Sequence, residues 1–294
     1  MRSIINVFLG LAAAVVIAGC GDSAKSETKP PAAAATADAA PVAGVPADLK
    51  AKGTLTVATD ATYPPAEFTK PDGRTIIGLD PDLITAVAER MGLKVKIVNA
   101  SFDSILPGLA SGKYDIGMAA FTDTKEREKT VDFVTYFTAG TSFFVNADGG
   151  PTINTREDLC GHKVAVEKGT IQVDDATAQS KKCKTDGKPA VEILTFPDQN
   201  GANLALSSGR AEVGMADSPV AAYLAKKSDG RFKVVGHPYD TAPYGVAIPK
   251  GNGLAEPVLG AMKAAIADGE YGTILEKWGL SDGAIDAPAI NAAK

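Results

Sequence analysis

Residues 54–98 read Thr54-Leu-Thr-Val-Ala-Thr-Asp60-Ala-Thr-Tyr63-Pro-Pro-Ala-Glu67-Phe-Thr-Lys-Pro-Asp-Gly-Arg-Thr-Ile-Ile-Gly78-Leu-Asp80-Pro-Asp82-Leu-Ile-Thr-Ala-Val-Ala-Glu-Arg-Met91-Gly-Leu-Lys94-Val-Lys-Ile-Val98. Thr54 to Ala58 is short, alternating and rich in β-formers, the pattern of a strand. Pro81 to Met91 places Leu83, Ile84, Val87, Ala88 and Met91 on one helical face. Lys94 to Val98 alternates again as a second strand. A strand–helix–strand unit of this kind builds α/β folds.

The rhythm continues outward from that stretch. Ser104 to Ala110 reads as a helix and Asp115 to Ala119 as a strand. It returns in Lys163 to Val166, Val173 to Gln179, Val191 to Leu194, Ala202 to Ser208 and Glu212 to Ala216. Ser218-Pro219 opens another helix, with serine as the N-cap and proline in first position. Two cycles of similar size predict two α/β lobes rather than one large sheet. Helices at Leu254 to Asp268 and Glu270 to Trp278 close the fold, and the Ala-rich residues after Gly279 are expected to fray.

An apolar fraction of 45% in 294 residues is enough for a sizeable core. A net charge of −5 argues against a nucleic-acid partner, which needs a basic face. At the N-terminus Arg2 precedes a nearly unbroken apolar run from Ile4 to Ala18, the length of a signal-peptide core and short for a bilayer span. The run ends in Ile17-Ala-Gly-Cys20, which resembles the lipobox of bacterial lipoproteins. There the cysteine is lipidated and becomes the first mature residue. Gly21 to about Pro46 is Ala, Pro, Thr, Ser, Asp and Lys, a composition that cannot bury enough surface to fold and reads as a tether. Its flexible reach is about 28 Å.

Cys160 and Cys183 remain, an even pair in an exported chain, and a disulfide is expected over two free thiols. No metal site is expected, because only His162 and His237 could join the cysteines. With two histidines and no Gly-x-Ser-x-Gly elbow, a Ser-His-Asp site has little support. Gly108-Leu-Ala-Ser-Gly112-Lys113 falls one residue short of a phosphate loop and reads better as a helix ending at glycine. No cofactor is expected.

Other motifs recur in a fixed order. Asp60-Ala-Thr-Tyr63-Pro-Pro-Ala-Glu67-Phe68 is followed by Gly78-Leu-Asp80-Pro-Asp82-Leu83, Ser101-Phe102-Asp103-Ser104-Ile105-Leu106-Pro107-Gly108-Leu109 and Tyr114-Asp115-Ile116-Gly117-Met118. Thr122-Asp-Thr-Lys-Glu-Arg127, Val131-Asp-Phe133, Val166-Glu167-Lys-Gly-Thr170, Gly209-Arg-Ala-Glu212 and Asp217-Ser-Pro219 follow. In this order they resemble the polar amino-acid family of bacterial solute-binding proteins, extracellular family 3, from about Leu49 to Leu280. The resemblance implies an α/β type II periplasmic-binding-protein fold, in which a free amino acid is trapped between two lobes joined by two hinge strands. It implies crossings near Phe137 to Thr141 and Asp240 to Tyr244. The expected organisation is a signal peptide over 1–19, the lipidated cysteine and tether over 20–47, the first lobe over 48–138 and 244–280, the second over 139–243, and a tail over 281–294.

A free amino acid presents a carboxylate and an ammonium, and burying either unpaired is costly. Arg127 offers a planar fork for the carboxylate and stands where the family keeps its carboxylate-binding arginine. Thr122 can give a hydroxyl and an N–H, and Thr170 and Ile171 open a helix whose N–H groups favour an anion. The resemblance gives Asp217 the α-ammonium and Tyr63 and Phe102 the side chain. Ala120, beside Ala119, stands where members carry serine or glycine, and Ile171 where a hydroxyl is frequent. Asp60 and Glu167 are the acids at the side-chain end, unless Lys168 neutralises Glu167. They favour a cationic ligand (arginine, lysine, ornithine or histidine) over a glutamine or cystine type.

The resulting expectation is a monomeric, lipid-anchored binding protein on the outer face of the cytoplasmic membrane or in the periplasm, serving the permease and ATPase of an ABC importer, and not an enzyme. The alternative is an exported cyclohexadienyl or arogenate dehydratase on the same scaffold, with Glu167 or Glu67 as general acid. A sensor ectodomain is disfavoured.

Overall fold

The computed structural model describes residues 42–294. The expected signal peptide, Cys20 and most of the tether lie outside the described residues. The elements run α1 (Ala47–Lys52), β1 (Thr54–Thr59), β2 (Thr62–Tyr63), β3 (Glu67–Thr69), β4 (Ile76–Ile77), α2 (Leu79–Arg90), β5 (Lys94–Asn99), α3 (Phe102–Ala110) and β6 (Ile116–Gly117). Then come β7 (Val131–Asn146), β8 (Lys163–Glu167), α4 (Ile171–Thr185), β9 (Glu192–Phe196), α5 (Gln199–Ser207), β10 (Val213–Asp217), α6 (Ser218–Lys227), β11 (Phe232–Pro249), α7 (Ala255–Ala267) and α8 (Glu270–Trp278).

β1 lies between β5 and β6 in parallel, and β8 between β9 and β10 in parallel. These are the cores of two α/β lobes. One core packs α2, α7 and α8 beneath β1 and the first half of β7. The other gathers Val164, Val166, Val213, Met215 and Phe143 around Ala176 and Cys183 of α4. The mixed α/β class and the two lobes are as the sequence predicts.

The sheet departs from that expectation. β7 and β11 are long enough to serve both lobes, and they pair antiparallel from Asn146↔Phe232 to Val131↔Pro249. β11 pairs β6 on one side and β7 pairs β10 on the other, so all eight strands form one ladder, β5-β1-β6-β11-β7-β10-β8-β9. The expected crossings lie in this ribbon, where Ala139 faces Ala242 and its register shifts twice between Val235 and Ala242. Gly140 is required there, since a Cβ would stand 2.6 Å from the Tyr239 carbonyl.

Three further expectations are corrected. Residues 281–294 do not fray. Asn291 donates its N–H to the Phe133 carbonyl and accepts from the Phe133 N–H, both at 2.9 Å, and Thr135 N–H donates to the Ala289 carbonyl. The open edge of β7 supplies partners that an Ala-rich pattern cannot announce. The cap of α6 is Asp217 rather than Ser218, with the proline within the first two helical positions. α4 extends well past Gln179, because the Cys160–Cys183 disulfide holds its last turns.

Candidate functional site

β1 and β8 end facing each other, and the cleft between the lobes opens where they end. Asp60, Tyr63, Phe102, Ala120, Thr122 and Arg127 line it from one lobe, and Glu167, Thr170, Ile171 and Asp217 from the other. The structure therefore brings all ten expected ligand-contact residues to one wall set. Ala119, Glu67 and Gln172 line it too.

The lobes touch across the cleft. Asp217 N–H donates to the Tyr63 hydroxyl at 2.9 Å, Gln199 N–H donates to Thr62 Oγ1 at 3.2 Å, and Arg127 Nη2 donates to the Gly169 carbonyl at 3.0 Å. Lys168 pairs with Asp103 at 2.8 Å. Lys168 therefore does not neutralise Glu167. Its side chain leaves the strand end toward solvent and the opposite rim.

Arg127 begins a 3₁₀ turn, and its Nη1 donates to the Thr122 carbonyl at 2.9 Å. The guanidinium lies 5.3 Å from the ring centre of Phe102 and 5.5 Å from that of Phe121. Those two rings stack at 4.5 Å. The residue keeps some exposure while its guanidinium is desolvated, which lowers its pKa to about 10. Its hydrogen bonds go to carbonyls, and it forms no ion pair among the described residues. Donor capacity remains for an anion.

Asp217 ends β10 and is buried. As the N-cap of α6 its carboxylate would ordinarily accept from the first turn, yet it makes no cap bond. It turns instead to the cleft, accepting from Gln172 Nε2 at 2.7 Å and from the Tyr244 hydroxyl at 2.6 Å. Burial raises its pKa, while these donors and the Arg127 charge oppose the rise. Gln172 is held in turn by Thr141 Oγ1 at 3.0 Å. Sequence reasoning missed Gln172, Tyr244 and Phe121 as parts of the site.

Asp60 and Glu167 meet at the other end. Asp60 accepts from Phe102 N–H at 2.8 Å and from Thr62 Oγ1 at 2.6 Å. Glu167 Oε1 is buried with no donor. Burial raises both pKa values, and the facing Asp60 carboxylate adds to the rise at Glu167, which reaches about 10. Glu67 is fully buried with neither oxygen bonded to a donor. Burial and the neighbouring Asp80 hold it protonated, its pKa well above the usual carboxylate range. Asp80, raised by burial to about 6, accepts from Ala120 N–H at 2.9 Å and from the Tyr136 hydroxyl. Ala120 has a φ of +46°, a strained conformation for a non-glycine that Asp80 helps to hold.

Thr170 is the N-cap residue of α4 and Ile171 its first helical position. The orphan N–H groups of that helix start belong to the cleft wall. Among the described residues no cluster of three or more His, Cys, Asp or Glu is arranged to hold a metal ion. A pocket with a cation and an anion at one end and carboxyls at the other can hold a zwitterion with a polar tail.

The profile of the bacterial extracellular solute-binding proteins, family 3, matches residues 55–281. The arginine-binding protein ArgT of Corynebacterium glutamicum is 38% identical over 248 residues, 84% of this chain and 81% of its own. A solved ancestral arginine-binding protein bound to arginine superposes with a TM-score of 0.70 at 38% identity, covering 77% of this chain and 98% of that one. An ancestral arginine-binding protein bound to glutamine gives 0.71 at 36%, covering 78% and 98%. A profile match across most of the chain, joined to a two-lobe fold with its cleft at the strand ends, places this chain in the bacterial extracellular solute-binding proteins, family 3.

Proposed function

We propose that the chain captures a basic amino acid, arginine foremost, outside the cytoplasm and delivers it to an ABC importer without catalysing a reaction. One observation carries the choice of ligand. Asp60 and Glu167 face each other from opposite lobes with no protein cation between them, because Lys168 is engaged by Asp103. A guanidinium or ammonium there satisfies both carboxyls. At the other end Arg127 takes the ligand's carboxylate and Asp217, set among Gln172 and Tyr244, its ammonium. Phe102 and Tyr63 flank the aliphatic stem. The relatives named for arginine support the same reading. The lobes divide at 138/139 and 243/244, and closure about those crossings commits the ligand.

The chain works as a monomer tethered through lipidated Cys20. Cys20→Ser should move it from the membrane fraction to the soluble extracytoplasmic fraction, and unchanged fractionation would rule the anchor out. Ligand choice is tested by thermal shift across the twenty amino acids, ornithine and cystine. Bound ligand stabilises by about 2.7 kcal/mol at a hundredfold excess over Kd. The expected order puts arginine first and the other basic amino acids next. A large shift with glutamine or glutamate and none with basic amino acids would overturn the cationic reading.

A further inference from the structure

Asp60 directly follows β1 in one lobe and Glu167 ends β8 in the other, and contact between the lobes leaves both buried, 3% and 2% exposed. The ionisable side chains acting on Glu167 are Asp60, Asp198 from the loop before α5, and Asp217 from β10. Glu67 of β3 and Tyr63 of β2 lie on the same side. None is a cation. Lys168 is held at Asp103, and Arg127 stands toward Asp217.

We propose that Asp60 and Glu167 make lobe closure conditional on one positive charge between them, supplied by the ligand's side chain or, for a neutral ligand, by a proton. This rests on the amino-acid-binding reading above and adds to it that selectivity between cationic and neutral ligands depends on pH. With the lobes apart both carboxyls face water and are ionised above about pH 5. Closure removes that water and sets two like charges together in a poorly polarisable space, so one of them must be compensated. A guanidinium compensates both with no exchange of protons. A neutral side chain of the same shape cannot, and its binding must take up a proton at Glu167.

The sign follows from where the proton is held. Glu167 is ionised in the open form and protonated in the closed form with a neutral ligand, over the interval from about pH 5 to about 10, the value it reaches in contact. Affinity for the neutral ligand therefore falls about tenfold per pH unit across that interval. Affinity for the cation stays level. Glu67 and Asp80 share one lobe, so closure does not create their juxtaposition and they add little to the difference.

Citrulline, the neutral urea isostere of arginine, separates the two cases. Titration calorimetry of the full chain at about pH 6, 7 and 8 should find the arginine Kd constant within about twofold and the citrulline Kd rising about tenfold per unit. In buffers of differing ionisation enthalpy citrulline should bind with uptake of about one proton and arginine with none. Glu167→Gln should weaken arginine at least tenfold and bind citrulline with a Kd independent of pH. Parallel pH slopes for the two ligands overturn the proposal. So does a folded Glu167→Gln protein that binds arginine like the wild type and still rejects citrulline. If the folded wild type binds no amino acid at all, it is the function itself that fails, not the charge requirement.

Discussion

Arg127 keeps its charge under desolvation by holding two carbonyls, one on each lobe, and the Phe102–Phe121 stack beneath it. Those contacts orient the fork and leave donors that can take an anion. Truncating one member of a buried charged contact costs about 2–5 kcal/mol. Arg127→Ala should therefore weaken arginine binding at least about 30-fold by calorimetry while the ligand-free melting temperature changes little. Unaltered affinity would reduce Arg127 to a clamp on the Thr122 and Gly169 carbonyls. Arg127 and Asp217 were legible because charged residues at fixed places in ordered motifs leave a record in the sequence. Gln172 was not, since a glutamine in the first turn of a helix looks like any solvated position until α4 is docked on Thr141 and Asp217. Tyr244 was legible only as part of a crossing, because its hydroxyl reaches Asp217 through the antiparallel pairing of β11, a long-range fact.

The short strands and the helices could be read from periodicity, but the ribbon that joins the lobes could not. β7 is buried almost throughout, on both faces, so it lacks the alternation that marks a half-exposed strand. β11 carries Gly236, Pro238 and Pro243, residues that ordinarily break a strand, and it tolerates them by shifting register. α4 shows how one element joins cleft to scaffold. It spans about 22 Å, from its 15 residues at 1.5 Å each, with Thr170 at the cleft and Cys183 near the far end. The disulfide links residues 23 apart and fixes the far end only. Replacing both Cys160 and Cys183 by serine should lower stability by roughly 3 kcal/mol in the chain-entropy view. Arginine affinity should change less than about threefold. A loss of affinity as large as that of Arg127→Ala would mean that the disulfide sets the position of Thr170 and Ile171 as well.

At the scale of the whole molecule, the folded chain holds protons that an unfolded chain would release. Burial raises Asp80 and Asp123 to about 6 and Glu167 to about 10, and it lifts Glu67 well above the carboxylate range. A carboxyl whose pKa is higher folded than unfolded contributes stability that is complete below its unfolded value, about 4. That stability is lost as pH rises toward the folded value. Asp103, Asp132 and Asp268 work in the opposite sense, held low by Lys168, by Lys250 and Asn291, and by Arg90, and their contribution fades as pH falls below about 4. The two sets leave maximum stability near pH 5, with a decline on the alkaline side. Separation of the lobes relieves Glu167 by giving it water, but Glu67 and Asp80 stay packed within one lobe against Tyr136 and Ala120, so the decline persists in the ligand-free protein. Saturating arginine should raise the melting temperature across the range without removing the decline, because its affinity is level with pH and the Glu67 and Asp80 protons are still held. Calorimetric scans of the full chain from about pH 4.5 to 8.5, with and without arginine, measure both effects. A ligand-free melting temperature that rises between about pH 5 and 8 would mean that Glu67 and Asp80 are ionised and hydrated in solution, and that the acidic core beneath the cleft is not closed to water.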